Sequence, residues 1–543
     1  MLYYTHRAAR LFELSLESSA VTGRGFFVAC KTVLYHDEVK RKVNLTRKRN
    51  EVFAIKHLEI PKFQNWLEGL YLVDAPCGTG KSYFVFHTLY PFAKENNKKM
   101  IVFSNRNALK RQQELQAEGT DIKLITYQKL EYNQYLNGDW NVRRSVPDLM
   151  QELEGYDYIV LDEAHYLFQD ARFNRNTEVI LSMIERYRLS KVIIMLSATP
   201  DLLKSYFGDR IKEIYEAESD YSYIKKAYCY TSKDAAYKIL DCILQNEKAV
   251  FFGDSKERLK ELHRRYPDSA YLCAENETTS EAFEQITSTE RFACRFLFTT
   301  KVLDNGVNLT DRAIKHIIVE QTDLIDFVQC LGRKRVQGEE DTVTLYFLSN
   351  ISSIAARYGK LQKEIQIGNE YLFEKEHDVD RFRKVHIKDK LPDFFDNAFG
   401  VIEPTWFKAK ADYQFYYSLV GAKTPEKGKT TFAKVVSKRL KVRVHYYETV
   451  SKNYNLCSYL AKNVDRKYYK KDRKELIDTF GLRKDGHLLK SMGMFNQYLE
   501  ENQIAYRLKS NKKNNKVYWT IVKTDENERN PLYRVTNDLK GEI

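Results

Sequence analysis

The chain has 543 residues, a formal net charge of +14, and eight cysteines scattered without a C-x-x-C pair. That length supports several domains with cores of their own, while the cysteine spacing excludes a disulfide-stapled scaffold and a zinc site. No apolar run approaches a membrane span and the first twenty residues lack a secretory h-region, so a reduced, cytoplasmic protein without a membrane partner is expected.

Charge divides unevenly along the chain. Residues 401–543 hold 30 Lys/Arg against 16 Asp/Glu, whereas residues 1–400 hold 58 against 58. A neutral body with a basic last quarter points to a polyanionic partner, most simply nucleic acid, because clustered cations displace the counterions around phosphates. A merely solvated lysine-rich surface is the competing reading.

Residues 1–50 are an extension with no motif. From residue 51, near-continuous apolar runs alternate with amphipathic helical stretches: "GLYLVDAP", "KMIVFSN", "YDYIVLDEAH" and "KVIIMLSATP", then "KAVFFGDS", "CRFLFTTKV", "IKHIIVEQ" and "TVTLYFLSN". Strands apolar on every residue fit parallel sheets covered on both faces. The pattern occurs twice around a polar segment at 215–228, which predicts two tandem α/β domains at 51–220 and 221–350. Residues 351–450 read as a helical and then basic accessory region. Within 451–543, "KKDRKELIDTFGL" and "DGHLLKSMGMFNQYLEEN" read as helices, the second with Leu488, Leu489, Met492, Phe495 and Leu499 on one face. "IAYRLKS" and "KVYWTIVK" read as a hairpin. Two helices and a hairpin resemble a winged-helix module; a helical cap with a solvated basic loop is the alternative.

The chemistry begins at "APCGTGKS", residues 75–82, between an apolar strand and a helix. Gly78 and Gly80 let the backbone turn its N–H groups inward around a phosphate, with Ala75, Pro76, Cys77 and Thr79 completing the loop. Lys81 would reach the β- and γ-phosphates of a nucleotide and Ser82 would hold Mg²⁺. About 80 residues on, "YIVLDEAH" supplies Asp162 as a second metal-directed group and Glu163 to orient or deprotonate the attacking water. His165 is placed to couple that site to its surroundings.

With these two motifs in hand, the chain resembles the superfamily 2 helicases of the DEAD/DEAH-box type over roughly residues 70–340. The resemblance implies two RecA-like domains, ATP and Mg²⁺ as cofactors, and a nucleic-acid substrate. It also implies roles in the family's order. Arg106 in "FSNRNALKRQQ", Thr126 in "ITYQKL" and Thr300 in "TTKVLDNGVNL" are expected near nucleic-acid phosphates, with Gly306 packed close to the nucleotide. Ser197 and Thr199 of "SATP" would link nucleotide state to strand grip, and Gln329 and Arg333 of "QCLGRKRV" would face the γ-phosphate. The family's second arginine falls on Val336, so the finger is Arg333 first and Arg335 second; on a continuing helix Arg335 would point about 200° away from Arg333. Asn308 stands where relatives carry Asp. "DEAHYLFQDARFN" and the shortened "GRKR" look more like phage- or plasmid-type members. The expected activity is ATP-dependent unwinding or translocation, with DNA favoured over RNA. The alternatives are a nucleic-acid-stimulated ATPase that remodels complexes, an RNA helicase, or a non-hydrolysing binding protein.

Overall fold

The computed structural model describes the strand at residues 42–45 and then 58–105, 117–138, 148–174, 176–273, 275, 280–300, 307–375, 377–386, 391–396, 400–420, 430–484, 487–502, 504–513 and 516–524. Arg106 and Gly306 lie outside the described residues.

Two seven-stranded sheets, parallel throughout, form the body. The first contains β1 (Lys42–Leu45), β2 (Gly69–Asp74), β3 (Met100–Ser104), β4 (Lys123–Thr126), β5 (Tyr158–Leu161), β6 (Val192–Ser197) and β7 (Ile211–Ala217), in the order β1-β7-β2-β6-β5-β3-β4. Successive side chains of a strand point to opposite faces. Leu72, Ile193 and Met195 accordingly join the core on one face of the sheet, and Tyr71, Val73, Ile194 and Leu196 the core on the other. The unbroken apolar runs in the sequence are the mark of this double coverage.

The second sheet contains β8 (Ile224–Tyr230), β9 (Lys248–Phe252), β10 (Ser269–Leu272), β11 (Phe296–Thr299), β12 (Ile314–Val319), β13 (Val343–Leu348) and β14 (Val444–Tyr446). Their order is β10-β11-β9-β12-β13-β8-β14. Here too alternate residues part company: Val250 and Phe252 enter one core, Ala249 and Phe251 the other. These are the two tandem parallel-sheet α/β domains expected from the sequence. Two edge strands come from outside the alternating pattern, β1 from ahead of residue 51 and β14 from beyond residue 400.

A helical layer follows. Helix α4 (Ile351–Glu374) packs against α5 (Glu403–Val420), and Gly368 permits the approach, since a Cβ there would lie 2.4 Å from the Trp406 ring. Tyr416 and Leu419 of "YQFYYSLV" are core residues, while Tyr417 is exposed.

The last described region holds α6 (Tyr447–Lys462), α7 (Lys470–Phe480), α8 (Met492–Glu501) and the antiparallel hairpin β15 (Tyr506–Lys513) and β16 (Lys516–Lys523). The helix expected over "DGHLLKSMGMFNQYLEEN" is shorter than its apolar pattern. It starts only at Met492, because Ser491 caps it by accepting from the Met494 N–H (3.2 Å), and residues 487–488 form a short strand against 483–484. Leu489 still joins Phe495 and Leu499 in the core, from ahead of the helix rather than along it.

Candidate active site between the two sheets

The loop after β2 turns at Gly78 (φ 74°) and Gly80 (φ 90°), left-handed conformations that favour glycine. Helix α1 (Lys81–Phe84) begins there and continues as a π turn and then an α-helix to Glu95. The Thr79 hydroxyl donates to the Pro76 carbonyl (2.8 Å), and the buried Lys81 ammonium donates to the carbonyls of Ala75 (2.7 Å) and Pro76 (3.2 Å). Ser82 occupies the first turn of the same helix. Because β2 pairs with β6 in the register Asp74↔Ser197, the loop lies beside "SATP", and the Ala75 N–H donates to the Ser197 carbonyl (3.1 Å).

β5 delivers the two acidic residues to the same edge. The Tyr127 hydroxyl donates to the Asp162 carbonyl (2.8 Å), and the Asp162 carboxylate accepts from the Glu163 N–H (3.0 Å). Glu163 sits at φ 51°, unusual for a side chain of its size, and such positions persist only where the surroundings enforce them. Its Oε2 is buried without a hydrogen-bond partner. Burial alone would raise the Glu163 carboxyl, but Lys81, His165, Arg333 and Arg335 together hold it below the ordinary carboxylate value. Arg333 and Arg335 come from the second sheet's domain.

That domain contributes helix α3 (Leu324–Gly332), capped by Asp323. Gln329 is the hub. Its Nε2 donates to Thr199 Oγ1 (3.3 Å) and lies 3.5 Å from His165 Nε2, while its Oε1 accepts from Arg333 (3.1 Å) and faces the Cys77 thiol at 3.9 Å. The other ring nitrogen of His165 is 3.2 Å from Ser197 Oγ, which also accepts from the Thr199 N–H (3.1 Å). An amide donor at Nε2 leaves the ring proton on Nδ1. Burial pushes the imidazole down, against the opposing pull of Glu163, which favours this neutral form.

The arginines differ from the helical expectation. α3 ends at Gly332, Arg333 is its C-cap, and Lys334 pairs with Leu309 in a parallel bridge, so the rotation of about 200° expected for a continuing helix does not apply. Arg335 therefore reaches the same site. Its Nε donates to Asn308 Oδ1 (2.7 Å), and its guanidinium lies against the phosphate-type loop, where a Cβ on Gly78 would be 2.9 Å away. Asn308 is thus the residue that orients Arg335. It also donates to Glu290 (3.1 Å).

Lys81, Asp162, Glu163, His165, Ser197, Thr199, Gln329, Arg333 and Arg335 form one connected neighbourhood. Thr126 and Thr300 do not join it: they follow strand ends elsewhere, and the Thr126 hydroxyl accepts from the Lys129 N–H (3.2 Å), capping its own helix. Sequence reasoning missed two contributors, Gln169 and Tyr127, and one contact: Cys77, expected only as part of the loop, also touches Gln329 and packs against Gly332, where a Cβ would meet its sulfur at 2.9 Å. Gln169, at the end of α2 (Tyr166–Gln169), donates to buried Asp326 of α3 (2.6 Å). Its place four residues after His165, one helical turn on, was the available signal. Tyr127 gave none.

Among the described residues no three His, Cys, Asp or Glu side chains gather as a metal site. The donors present suit Mg²⁺ held by Ser82 and Asp162 together with nucleotide phosphates, since this ion keeps several waters and needs few protein ligands.

Residues 60–205 match the family model of the DEAD/DEAH box helicase. Among solved structures, the chain is similar to Saccharomyces cerevisiae Dbp5 bound to RNA and ADP BeF3, at 14% identity and TM-score 0.40, covering 53% of this chain and 80% of that one. It is also similar to the Escherichia coli DEAH/RHA helicase HrpB, at 14% identity and TM-score 0.35, covering 52% of this chain and 40% of that one. Mss116p bound to ssRNA and AMP-PNP is similar at 13% identity and TM-score 0.38, covering 52% and 66%. No curated protein matches the chain.

Proposed function

We propose that the chain, whose residues 60–205 match the DEAD/DEAH box helicase model, is a nucleic-acid motor that hydrolyses ATP in the cleft between its two sheets and acts first on DNA. One observation carries the reading. The partly buried carboxylate of Glu163 is held below the ordinary carboxylate value by Lys81 from its own domain and by Arg333 and Arg335 from the other, so both domains are needed to complete the charge pattern.

In this proposal the loop 75–82 cradles the phosphates through its inward N–H groups, and Lys81 leaves its loop carbonyls to meet the γ-phosphate. Ser82 and Asp162 would hold Mg²⁺, which would supply charge neutralisation to the phosphates when bound. Glu163 orients the attacking water and accepts its proton; the carboxylate is already ionised, with Oε2 facing His165 Nδ1 at 3.4 Å. Arg333, with Arg335 second, stabilises the charge that develops in the transition state, an effect worth ~10³–10⁵-fold for such a residue. Gln329, His165, Ser197 and Thr199 report domain closure to the rest of the chain. Nucleic acid bound across both domains favours closure and so hydrolysis. Arg106, Thr126 and Thr300 are proposed phosphate contacts on that path, and Gly306 a close-packed position beside the nucleotide.

DNA is favoured because of the C-terminal module. We read 451–543 as a winged-helix module, with the domains at 51–220 and 221–350 and the accessory region at 351–450. The order of α6, an edge segment bridged to β16 through Val464 and Tyr468, α7, α8 and the hairpin supports this. Hairpin residues 506–523 carry six Lys/Arg and no acid, whereas α8 carries two Glu and no cation. Its polyanion contact is therefore placed on the hairpin and α7 rather than in α8.

The test is ATP hydrolysis by the purified protein with no polymer, single-stranded DNA, duplex DNA or single-stranded RNA, beside Lys81→Ala. Stimulation by DNA, lost in the variant, is expected, and a forked duplex then separates unwinding from remodelling without unwinding. Stimulation by RNA alone would replace DNA as the substrate. No hydrolysis with any polymer would defeat the motor reading.

A further inference from the structure

Helix α5 lies outside every motif of the helicase domain, yet it touches both halves of the site. On the first domain, Thr405 donates to the Ala171 carbonyl (2.9 Å) just beyond α2, and Phe407 packs on Phe168 with ring centroids 4.9 Å apart. On the second, Lys408 donates to Asp323 Oδ2 (2.8 Å) and to Asp412 of its own helix (2.5 Å), and Tyr416 meets Thr322 (3.2 Å). Lys408 and Asp323 are only 4% and 7% exposed. Asp323 uses its other oxygen to cap α3, accepting from the N–H groups of Ile325 (2.9 Å) and Asp326 (3.1 Å).

One carboxylate therefore joins the accessory helix to the helix that carries Gln329 and Arg333. These residues lie about 9 Å and 15 Å along the axis from Asp323, at 1.5 Å per residue. A tilt of about 5° at the capped end moves Arg333 by roughly 1 Å, and a misplacement of ~1 Å can cost ~10²-fold in rate. Stability alone is a weak reason for such a pair, because buried ion pairs are often matched by apolar replacements. The ion pair does, however, fix which way α3 points.

We propose that α5 is a strut between the two domains, and that Lys408 is a positioning residue that acts through Asp323 to hold Gln329 and Arg333 in register with Glu163. The inference rests on the motor reading of the cleft. It makes the accessory region part of the hydrolytic apparatus: whatever displaces α5 lowers turnover without touching nucleotide.

The test removes both charges while keeping the cap. Lys408→Met alone leaves two anions, Asp323 and Asp412, without their lysine and risks misfolding; adding Asp323→Asn removes the more deeply buried of them and the repulsion between the two, Asp412 keeps the field of Arg172, and Asn caps helices as well as Asp. In the full chain, the doubly substituted protein is expected to bind nucleotide within twofold of wild type while its polymer-stimulated kcat falls about 10–100-fold. Arg383→Ala, which breaks an exposed pair with Asp380, is expected to leave kcat unchanged. In an Arg333→Ala background the double substitution should cause less than a twofold further loss, because both act at the same place. An unchanged kcat, or an equal loss in the Arg333→Ala background, overturns the proposal. Hydrogen exchange reads the same device without turnover. The amides of residues 327–332 should exchange at least fivefold faster in the doubly substituted protein, with 316–319 unaffected, and unchanged rates at 327–332 overturn it equally. A wild type without ATPase defeats the motor reading but leaves the exchange result decisive for the strut.

Discussion

At the scale of single residues, the site is governed by which cations see Glu163. Arg333 is buried and tied to Gln329, whereas Arg335 is half-buried, held by Asn308 and pressed against Gly78. The two should therefore fail differently. Arg333→Ala is expected to lower single-turnover hydrolysis by ~10³-fold or more, in the range for such a finger. It should also lower thermal stability, because it leaves Gln329 Oε1 with one donor fewer. Arg335→Ala is expected to weaken nucleotide binding through the loosened loop, with a smaller effect on the chemical step and little on melting temperature. Equal rate losses with equal nucleotide affinity would show that the two arginines act as one unit.

At the scale of elements, the register of α3 against the loop after β2 decides whether the cleft can close. Gly332 is helical and faces Cys77 so closely that a Cβ would lie 2.9 Å from its sulfur. Alanine at this position gains helix propensity of about 1 kcal/mol over glycine, so folding of the isolated element is not impaired. Gly332→Ala is thus expected to leave melting temperature unchanged or higher while lowering kcat/KM about 10-fold, and Cys77→Ala in the same chain should restore part of the loss. Calorimetry and steady-state kinetics on the three variants measure this. A drop in melting temperature without a kinetic effect would show that the contact matters only for packing.

At the scale of the whole molecule, charge separates the two-sheet body from its basic appendage. Lys512, Lys513 and Lys516 are exposed at the hairpin end, with no acidic residue along the hairpin to offset them. Each phosphate neutralised contributes ~0.7 to the slope of log affinity against log salt on a single strand and ~0.9 on B-DNA. Changing all three to Ala is expected to lower that slope by roughly 2 to 3, with basal ATPase unchanged. Fluorescence anisotropy across a salt series checks it, and an unchanged slope would place the polyanion path elsewhere.

Much of this was legible in the chain itself because it is local. Unbroken apolar runs such as "KVIIMLSATP" require both faces of a strand to be covered, and "APCGTGKS" needs its glycines within one turn of backbone. "LDEAH" places its carboxylates at a strand end by contiguity alone, and the paired tyrosines of "YQFYYSLV" fit a core as readily as a surface. The extent of the helix before the hairpin was less legible, since an apolar face does not reveal where Ser491 caps. Other features depend on segments far apart in sequence meeting in space. β1 and β14 take edge positions only because neighbouring strands leave their backbone groups free to pair. The end of α3 at Gly332, and with it the reach of Arg335, follows from the bridge between Leu309 and Lys334. Cys77 gains its contact only when α3 docks, and Lys408 its role only when α5 spans two domains. The sequence by itself determined the two sheets, the phosphate loop and the acidic pair, because backbone conformation and burial pattern are set by adjacent residues. Only the tertiary structure decided which cations surround Glu163 and which helix braces them, because those are distances between groups as many as 252 residues apart, set by packing.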